Sequence, residues 1–148
     1  MKTGNMEALT SSERETEAFG EELAAKLSRG DVVYVIGDLG AGKTCLVRGI
    51  ARGLGALPRQ VASPTFAILH EYAGEAGETS MSHLDLYRLK DEAKDLEILG
   101  LPESVAGAPV AVEWPGDAIR RLLPPTMEIT LEVLSDGTRR LRTRDAPL

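Results

Sequence analysis

The chain has 148 residues, 43% of them apolar and 27% charged, with a formal net charge of −6. That length suits one hydrophobic core, and no stretch approaches a membrane span. The balance of 23 acidic against 17 basic side chains argues against a broad nucleic-acid footprint, which needs clustered cations. The first residues lack the apolar run of a signal peptide, and the single cysteine, Cys45, allows no internal disulfide. A cytoplasmic setting is the expectation.

In chain order, Ser12-x-x-Glu15 is a capping-box signature. It predicts a helix running to about residue 29, with Phe19, Leu23 and Leu27 as its apolar stripe and Gly30 as its C-terminal glycine. Residues 31–36, Asp-Val-Val-Tyr-Val-Ile, form the continuous β-branched run of a buried parallel strand. That strand feeds residues 37–44, Gly-Asp-Leu-Gly-Ala-Gly-Lys-Thr, a full match to the phosphate-binding pattern G-x-x-x-x-G-K-[ST]. Each residue type in it has a task. Gly37, Gly40 and Gly42 free the backbone to turn and bring its N–H groups, with those of Asp38 and Ala41, up to phosphate oxygens. Lys43 sets a cation on the β- and γ-phosphates, and the Thr44 hydroxyl is a ligand for Mg²⁺. Leu46, Val47, Ile50, Ala51 and Leu54 then fall at helical spacing up to Gly53 and Gly55, so a helix N-terminus faces the phosphates. The expectation is binding of ATP or GTP. Cys45, on the first turn, has two readings: a thiol of depressed pKa at a helix start, or a small residue packed under the loop.

Further on, residues 66–72 and 81–87 read as an antiparallel hairpin, 91–99 as a helix stopped by Gly100 and Pro102, and 110–112 as a short buried strand. A short helix over 117–123 ends at Pro124-Pro125. Met127, Ile129, Leu131 and Val133 alternate with polar residues, and Ser135-Asp136-Gly137 turns the chain into a last strand around Leu141. Along that strand Arg140, Arg142 and Arg144 share one face and Arg139 points the other way. The shared face is either a solvated outer surface or a patch for a partner. Together these elements predict an α/β fold, a small three-layer P-loop NTPase-like sandwich with a mixed sheet and antiparallel hairpins, as one domain over residues 1–148.

Hydrolysis needs more than the loop: carboxylates to hold Mg²⁺ and orient water, and a group that senses the γ-phosphate. In His83-Leu84-Asp85-Leu86-Tyr87-Arg88 an acid sits in an apolar strand, so Asp85 faces either the site or an ion pair with Arg88. The strand 110–112 delivers Glu113 at its C-terminal end, where ligands of open α/β sheets bind. Ser63-Pro64-Thr65-Phe66 is either a switch loop presenting Thr65 or an ordinary turn. Trp114, the only tryptophan, is open between core packing and a site role. His70 and His83 show no metal-ligand spacing and read as strand-face residues, with no zinc site predicted.

GDLGAGKT at 37–44, SPTF at 63–66, HLDLYR at 83–88 and EWP at 113–115, in that order, resemble the bacterial TsaE (YjeE) family, as do SSERET at 11–16 and the closing strand pair. The resemblance implies a Mg²⁺-dependent ATPase of threonylcarbamoyladenosine biosynthesis in tRNA that works with the TsaB and TsaD proteins. It implies that Lys43 and Thr44 hold phosphate and Mg²⁺, that residues 63–66 with Thr65 form a switch, and that Asp85 is the acid of the second nucleotide motif. Glu113 becomes an Mg²⁺-associated or catalytic carboxylate, with Trp114 beside the nucleotide and partner surface. The nucleoside end falls to Glu13 and Arg139, with Arg140 competing because Thr138 is an extra residue after Gly137. Beside the ATPase stand a nucleotide-gated binding module and, with little chain left for an acceptor lid, a small-metabolite kinase. A Ras-like GTPase lacks its Asn-Lys-x-Asp base-reading segment.

Overall fold

Alternate side chains of one central strand feed two separate cores: Val33 and Val35 enter the first, Val32 and Tyr34 the second. This is what a strand covered on both faces requires, and it explains why the run carries no polar alternation. The computed structural model describes residues 5–57, 69–87, 89 and 92–146. Its elements in chain order are β1 (Glu7–Thr10), α1 (Glu13–Ala24), β2 (Val32–Gly37), α2 (Lys43–Gly53), β3 (Leu69–Ala73), β4 (Thr79–Asp85), α3 (Glu92–Leu99), a 3-10 turn (Glu103–Val105), β5 (Val110–Glu113), α4 (Asp117–Leu122), β6 (Met127–Val133) and β7 (Arg139–Asp145).

The seven described strands form one sheet in the order β1-β7-β6-β2-β5-β4-β3. Its middle is parallel, β2 pairing with β5 and β6, and β5 with β4. The margins are antiparallel: β6 with β7, β7 with β1, and β4 with β3. Phe19 and Leu23 of α1 and Leu46, Val47 and Ile50 of α2 cover one face. Leu96 of α3 and Ile119 of α4 cover the other. The predicted three-layer α/β sandwich with a mixed sheet is the architecture observed.

The two helices on the first face cross with their backbones in contact. A Cβ on Gly20 would stand 2.6 Å from the Leu46 carbonyl oxygen, and one on Gly49 would run into the Glu17 carbonyl. Arg48–Glu17 (3.2 Å) and Arg52–Glu21 (3.3 Å) ion pairs flank the crossing.

Four local expectations change. The first helix ends at Ala24 rather than near residue 29, because Lys26 N–H and Leu27 N–H bond to the carbonyls of Leu23 and Ala24, tightening the last turn. Gly30, at φ 97°, therefore serves the turn into β2 and not the helix end. The capping box forms only in part. Ser12 Oγ accepts from Glu15 N–H at 3.1 Å, but the Glu15 carboxylate takes the Ser11 N–H at 2.8 Å, one residue before the cap. Strand β1 was not foreseen: it is four residues long, and its partner β7, with Glu7 opposite Arg142, lies at the far end of the chain. The hairpin strands run over Leu69–Ala73 and Thr79–Asp85, while residues 66–68 of its predicted first strand lie outside the described residues.

Arg140, Arg142 and Arg144 do share one face of β7, and acids answer two of them. Arg142 pairs with Glu7 at 2.7 Å and Arg140 with Glu132 at 3.4 Å.

Candidate functional site

Between β2 and α2 the backbone turns through Gly40 (φ 81°) and Gly42 (φ 103°), conformations that side chains with a Cβ seldom adopt. Gly42 is the residue that starts α2, with no side chain capping the helix. The first amides of α2 and the positive end of its dipole are thus left for an anion. Lys43 is buried and folded onto its own loop: Nζ donates to Gly37 O at 2.6 Å and Asp38 O at 2.8 Å. It also lies 4.3 Å from the centroid of the Trp114 ring. Burial lowers the Lys43 pKa, while the nearby Glu113, Asp38 and Asp85 carboxylates oppose that shift. Cys45 follows, buried, with Sγ donating to Glu13 O at 3.1 Å. Its pKa is raised by burial and by the charges of Glu17 and Glu13. Of the two readings of Cys45, the small residue packed under the loop holds: here desolvation and two acids outweigh the helix end.

The two acids arrive on adjacent parallel strands. Asp85 and Glu113 are register partners at the C-terminal ends of β4 and β5, on the edge of the sheet from which the loop also leaves. The next residue, Trp114, has φ 58°, a strained value for a bulky side chain costing on the order of 1–2 kcal/mol. That turn sets its ring against Tyr87, centroids 4.8 Å apart, and against Lys43.

A cavity of about 430 Å³ lies over the loop, lined by Gly40, Gly42, Lys43, Thr44, Asp85, Glu113 and Trp114 together with Glu13 and Arg139. Arg139 reaches across the loop: Nε donates to Ala41 O (3.4 Å) and Nη2 to Gly40 O (3.2 Å). Arg140 points to Glu132 instead. The extra residue Thr138 is absorbed in the turn, its N–H and hydroxyl both donating to Asp136 Oδ1, which holds the Asp136 carboxyl below its usual pKa. Gly37 and Asp38 meet the cavity's lysine through their carbonyls. Thr65, with the rest of residues 63–66, and Arg88 lie outside the described residues.

One group went unrecognised. His83, expected only as a strand-face residue, is buried and 2.7 Å from Glu113, through Nε2 and Oε2. Its Nδ1 is 3.3 Å from the Tyr72 hydroxyl. An ionised carboxylate only accepts, so Nε2 carries a proton and donates to Oε2, and the Tyr72 hydroxyl lies within hydrogen-bond reach of Nδ1. Tyr72 holds its proton firmly, since burial and then the Glu113 charge raise its pKa. The available signal was the spacing of His83 and Asp85, two residues apart and so on one face of a strand. Nothing local indicated Glu113 as the partner.

The geometry agrees with relationships found by comparison. The family model for the threonylcarbamoyl adenosine biosynthesis protein TsaE matches residues 10–142. The tRNA threonylcarbamoyladenosine biosynthesis protein TsaE of Treponema pallidum is 38% identical over 138 residues, covering 92% of this chain and 98% of that one. Its namesake from Bacillus subtilis is 40% identical over 128 residues, covering 86% and 77%. A crystal structure of Bacillus subtilis YdiB superposes with a TM-score of 0.69 at 28% identity, covering 99% of this chain and 88% of that chain. The chain belongs to the TsaE family of tRNA threonylcarbamoyladenosine biosynthesis proteins.

Proposed function

We propose that this protein is a cytoplasmic, single-domain ATPase that requires Mg²⁺ and drives threonylcarbamoyladenosine modification of tRNA together with TsaB and TsaD. The observation that carries the reading is the meeting, in one cavity, of an uncapped helix N-terminus with its lysine and two in-register carboxylates from β4 and β5. The loop amides and Lys43 take the phosphates, with Gly37, Asp38, Gly40, Ala41 and Gly42 supplying the backbone. Glu13 and Arg139 bound the end of the cavity suited to the nucleoside.

The residues fit Mg²⁺. Thr44, Asp85 and Glu113 are oxygen donors, and among the described residues no group of three or more His, Cys, Asp or Glu forms a metal cage. Mg²⁺ is commonly held by one or two carboxylates plus substrate phosphates rather than by an all-protein site. When bound, it supplies neutralisation of charge on the β- and γ-oxygens. Glu113 orients the attacking water toward the γ-phosphorus, and the bond to the leaving ADP oxygen breaks as the new P–O bond forms. Trp114 and Tyr87 wall off one side, and Thr65 senses the γ-phosphate.

Turnover of the isolated chain is slow. Among the described cavity cations, Lys43 serves the loop, Arg48 is paired with Glu17 at 3.2 Å, and Arg139 is bonded to loop carbonyls. A partner then completes charge neutralisation in the transition state, an effect worth about 10³–10⁵ where an arginine is supplied in trans. The tRNA is held mainly by the partners, a division of labour that suits the acidic balance of the chain.

The test is ATP hydrolysis and tRNA modification by wild type and Glu113→Ala, each with and without TsaB and TsaD. Expected are stimulation by the partners and, for the variant, retained ATP binding with loss of repeated modification. Full modification without hydrolysis would favour the nucleotide-gated module, and partner-independent turnover at full rate would overturn the coupling.

A further inference from the structure

Glu113 is 3% exposed, and a carboxylate so buried needs partners to stay charged. The partner lies on the neighbouring strand. β4 sets His83 opposite Ala111 and Asp85 opposite Glu113, so the Glu113 side chain leans back along the sheet to reach His83 Nε2 at 2.7 Å. Behind it, β3 sets His70 opposite His83 and brings the Tyr72 hydroxyl to Nδ1 at 3.3 Å. The imidazole is thus held at both nitrogens, with ring neighbours at 6.0 Å (His70) and 6.3 Å (Tyr72). This chain of contacts, Tyr72 to His83 to Glu113, occupies Oε2 of the carboxylate. Oε1 is left for the cavity that Glu113 lines, where Lys43 and Thr44 also stand.

We infer that His83 is a positioning residue: by holding Oε2 it fixes the Glu113 carboxylate in the rotamer that presents Oε1 to the γ-phosphate side of the cavity. The inference rests on the ATPase reading for its effect on rate, while the chain of contacts itself is built only from side chains of β3, β4 and β5. A carboxylate freed from His83 would be drawn toward the Lys43 ammonium, with which it already interacts electrostatically, and would spend time away from the geometry that orients water. Outer partners of this kind usually change activity by about 10- to 100-fold when removed. His83 is buried behind Glu113 and is not among the residues that line the cavity. A filler role alone, in which His83 only satisfies a buried acid, makes a different forecast: any well-packed replacement that keeps the fold keeps the rate.

The experiment compares His83→Phe, which keeps ring volume without a donor, and His83→Gln, which returns an amide N–H near the place of Nε2. Steady-state hydrolysis with the partner proteins, ATP affinity by calorimetry and melting temperature are measured for each. His83→Phe is expected to lose about 10- to 100-fold in kcat with ATP affinity changed by no more than about 3-fold, and His83→Gln to recover most of the loss. Imidazole ¹⁵N spectra of the nucleotide-free full chain provide a readout independent of activity, with the His83→Gln spectrum assigning the two histidines. The expected signature is a proton held on His83 Nε2, its Nε2 signal shifting in Glu113→Gln. Wild-type kcat in His83→Phe, no advantage of Gln over Phe, or an Nε2 signal indifferent to Glu113→Gln would each overturn the inference. A wild-type protein that neither binds nor hydrolyses ATP would overturn the ATPase reading instead, and would leave the spectra to judge the hydrogen-bonded chain.

Discussion

The Lys43 ammonium group stands 4.3 Å from the centre of the Trp114 ring while donating to the carbonyls of Gly37 and Asp38. A contact of this kind contributes about 0.5–2 kcal/mol, less than charge-assisted bonds to a triphosphate. Nucleotide should therefore draw Lys43 off the ring. Because Trp114 is the only tryptophan, its fluorescence should change saturably on addition of Mg·ATP, and Lys43→Met should abolish both the change and the binding heat. Saturated binding without any change in emission would refute the displacement.

Glu113→Gln keeps the size of the side chain and its ability to accept from His83, but removes the negative charge. Loss of a positioned base or water-orienting acid typically costs about 10²–10⁴ in rate. A fall in kcat of at least about 100-fold with near-normal ATP affinity is the expected result in a hydrolysis assay with partners present. A comparable loss of affinity would mean that the acid serves ground-state binding instead.

Of the two arginines that follow the hairpin, Arg139 crosses the loop and Arg140 pairs with Glu132. Arg139→Ala should weaken ATP binding by about 10-fold, the loss of roughly one charge-assisted hydrogen bond. Arg140→Ala, at an exposed ion pair, should stay within about 2-fold. Calorimetry on the two variants decides, and a reversed order would move the nucleoside end of the site.

The Cys45 thiol has its pKa raised by burial and by Glu17 and Glu13. A raised folded-state pKa contributes stability that is complete below the unfolded value and is lost as pH rises through the folded one. The stability difference between wild type and Cys45→Ala should accordingly be constant below about pH 8.5 and shrink above it. The subtraction matters because Tyr72, shifted in the same direction, also loses its contribution at alkaline pH. Denaturant titrations across that range test the sign; a difference that grows with pH would refute it.

Gly49→Ala should cost about 1–3 kcal/mol or more, since the new methyl group meets the fixed carbonyl of Glu17 rather than a movable side chain. Gly107→Ala, with nothing within 4 Å of the added carbon, should change stability by no more than about 0.5 kcal/mol. Thermal melts of the two variants measure the contrast.

The elements most legible in the sequence were those whose signals are local. Asp31 to Ile36 announced a doubly covered strand, the loop 37–44 announced an anion site, and the period of Leu46, Ile50 and Leu54 announced α2. Glu113 could be assigned to the end of its strand because four residues of pattern suffice to place it. What stayed hidden depended on distance along the chain. β1 owes its existence to β7, and no four-residue window of Met6 to Thr10 states that. The bond from His83 to Glu113 needs the parallel pairing of β4 with β5, which composition does not encode. The end of α1 was misplaced because Leu27 continues the apolar period after the hydrogen bonding has already tightened. Gly20 and Gly49 carry no local sign of their task, which is to let two backbones touch.

Backbone contact of that sort leaves α1 and α2 no slack to slide or tilt against each other. Glu13, at the start of one, and Thr44, at the start of the other, are consequently mounted on a common chassis, and the mouth between them has a fixed bore. Among the described residues, any widening or narrowing as the proposed nucleotide exchanges would then fall to the opposite wall, where a tryptophan on a strained turn and an arginine on a hairpin end are the adjustable jaws.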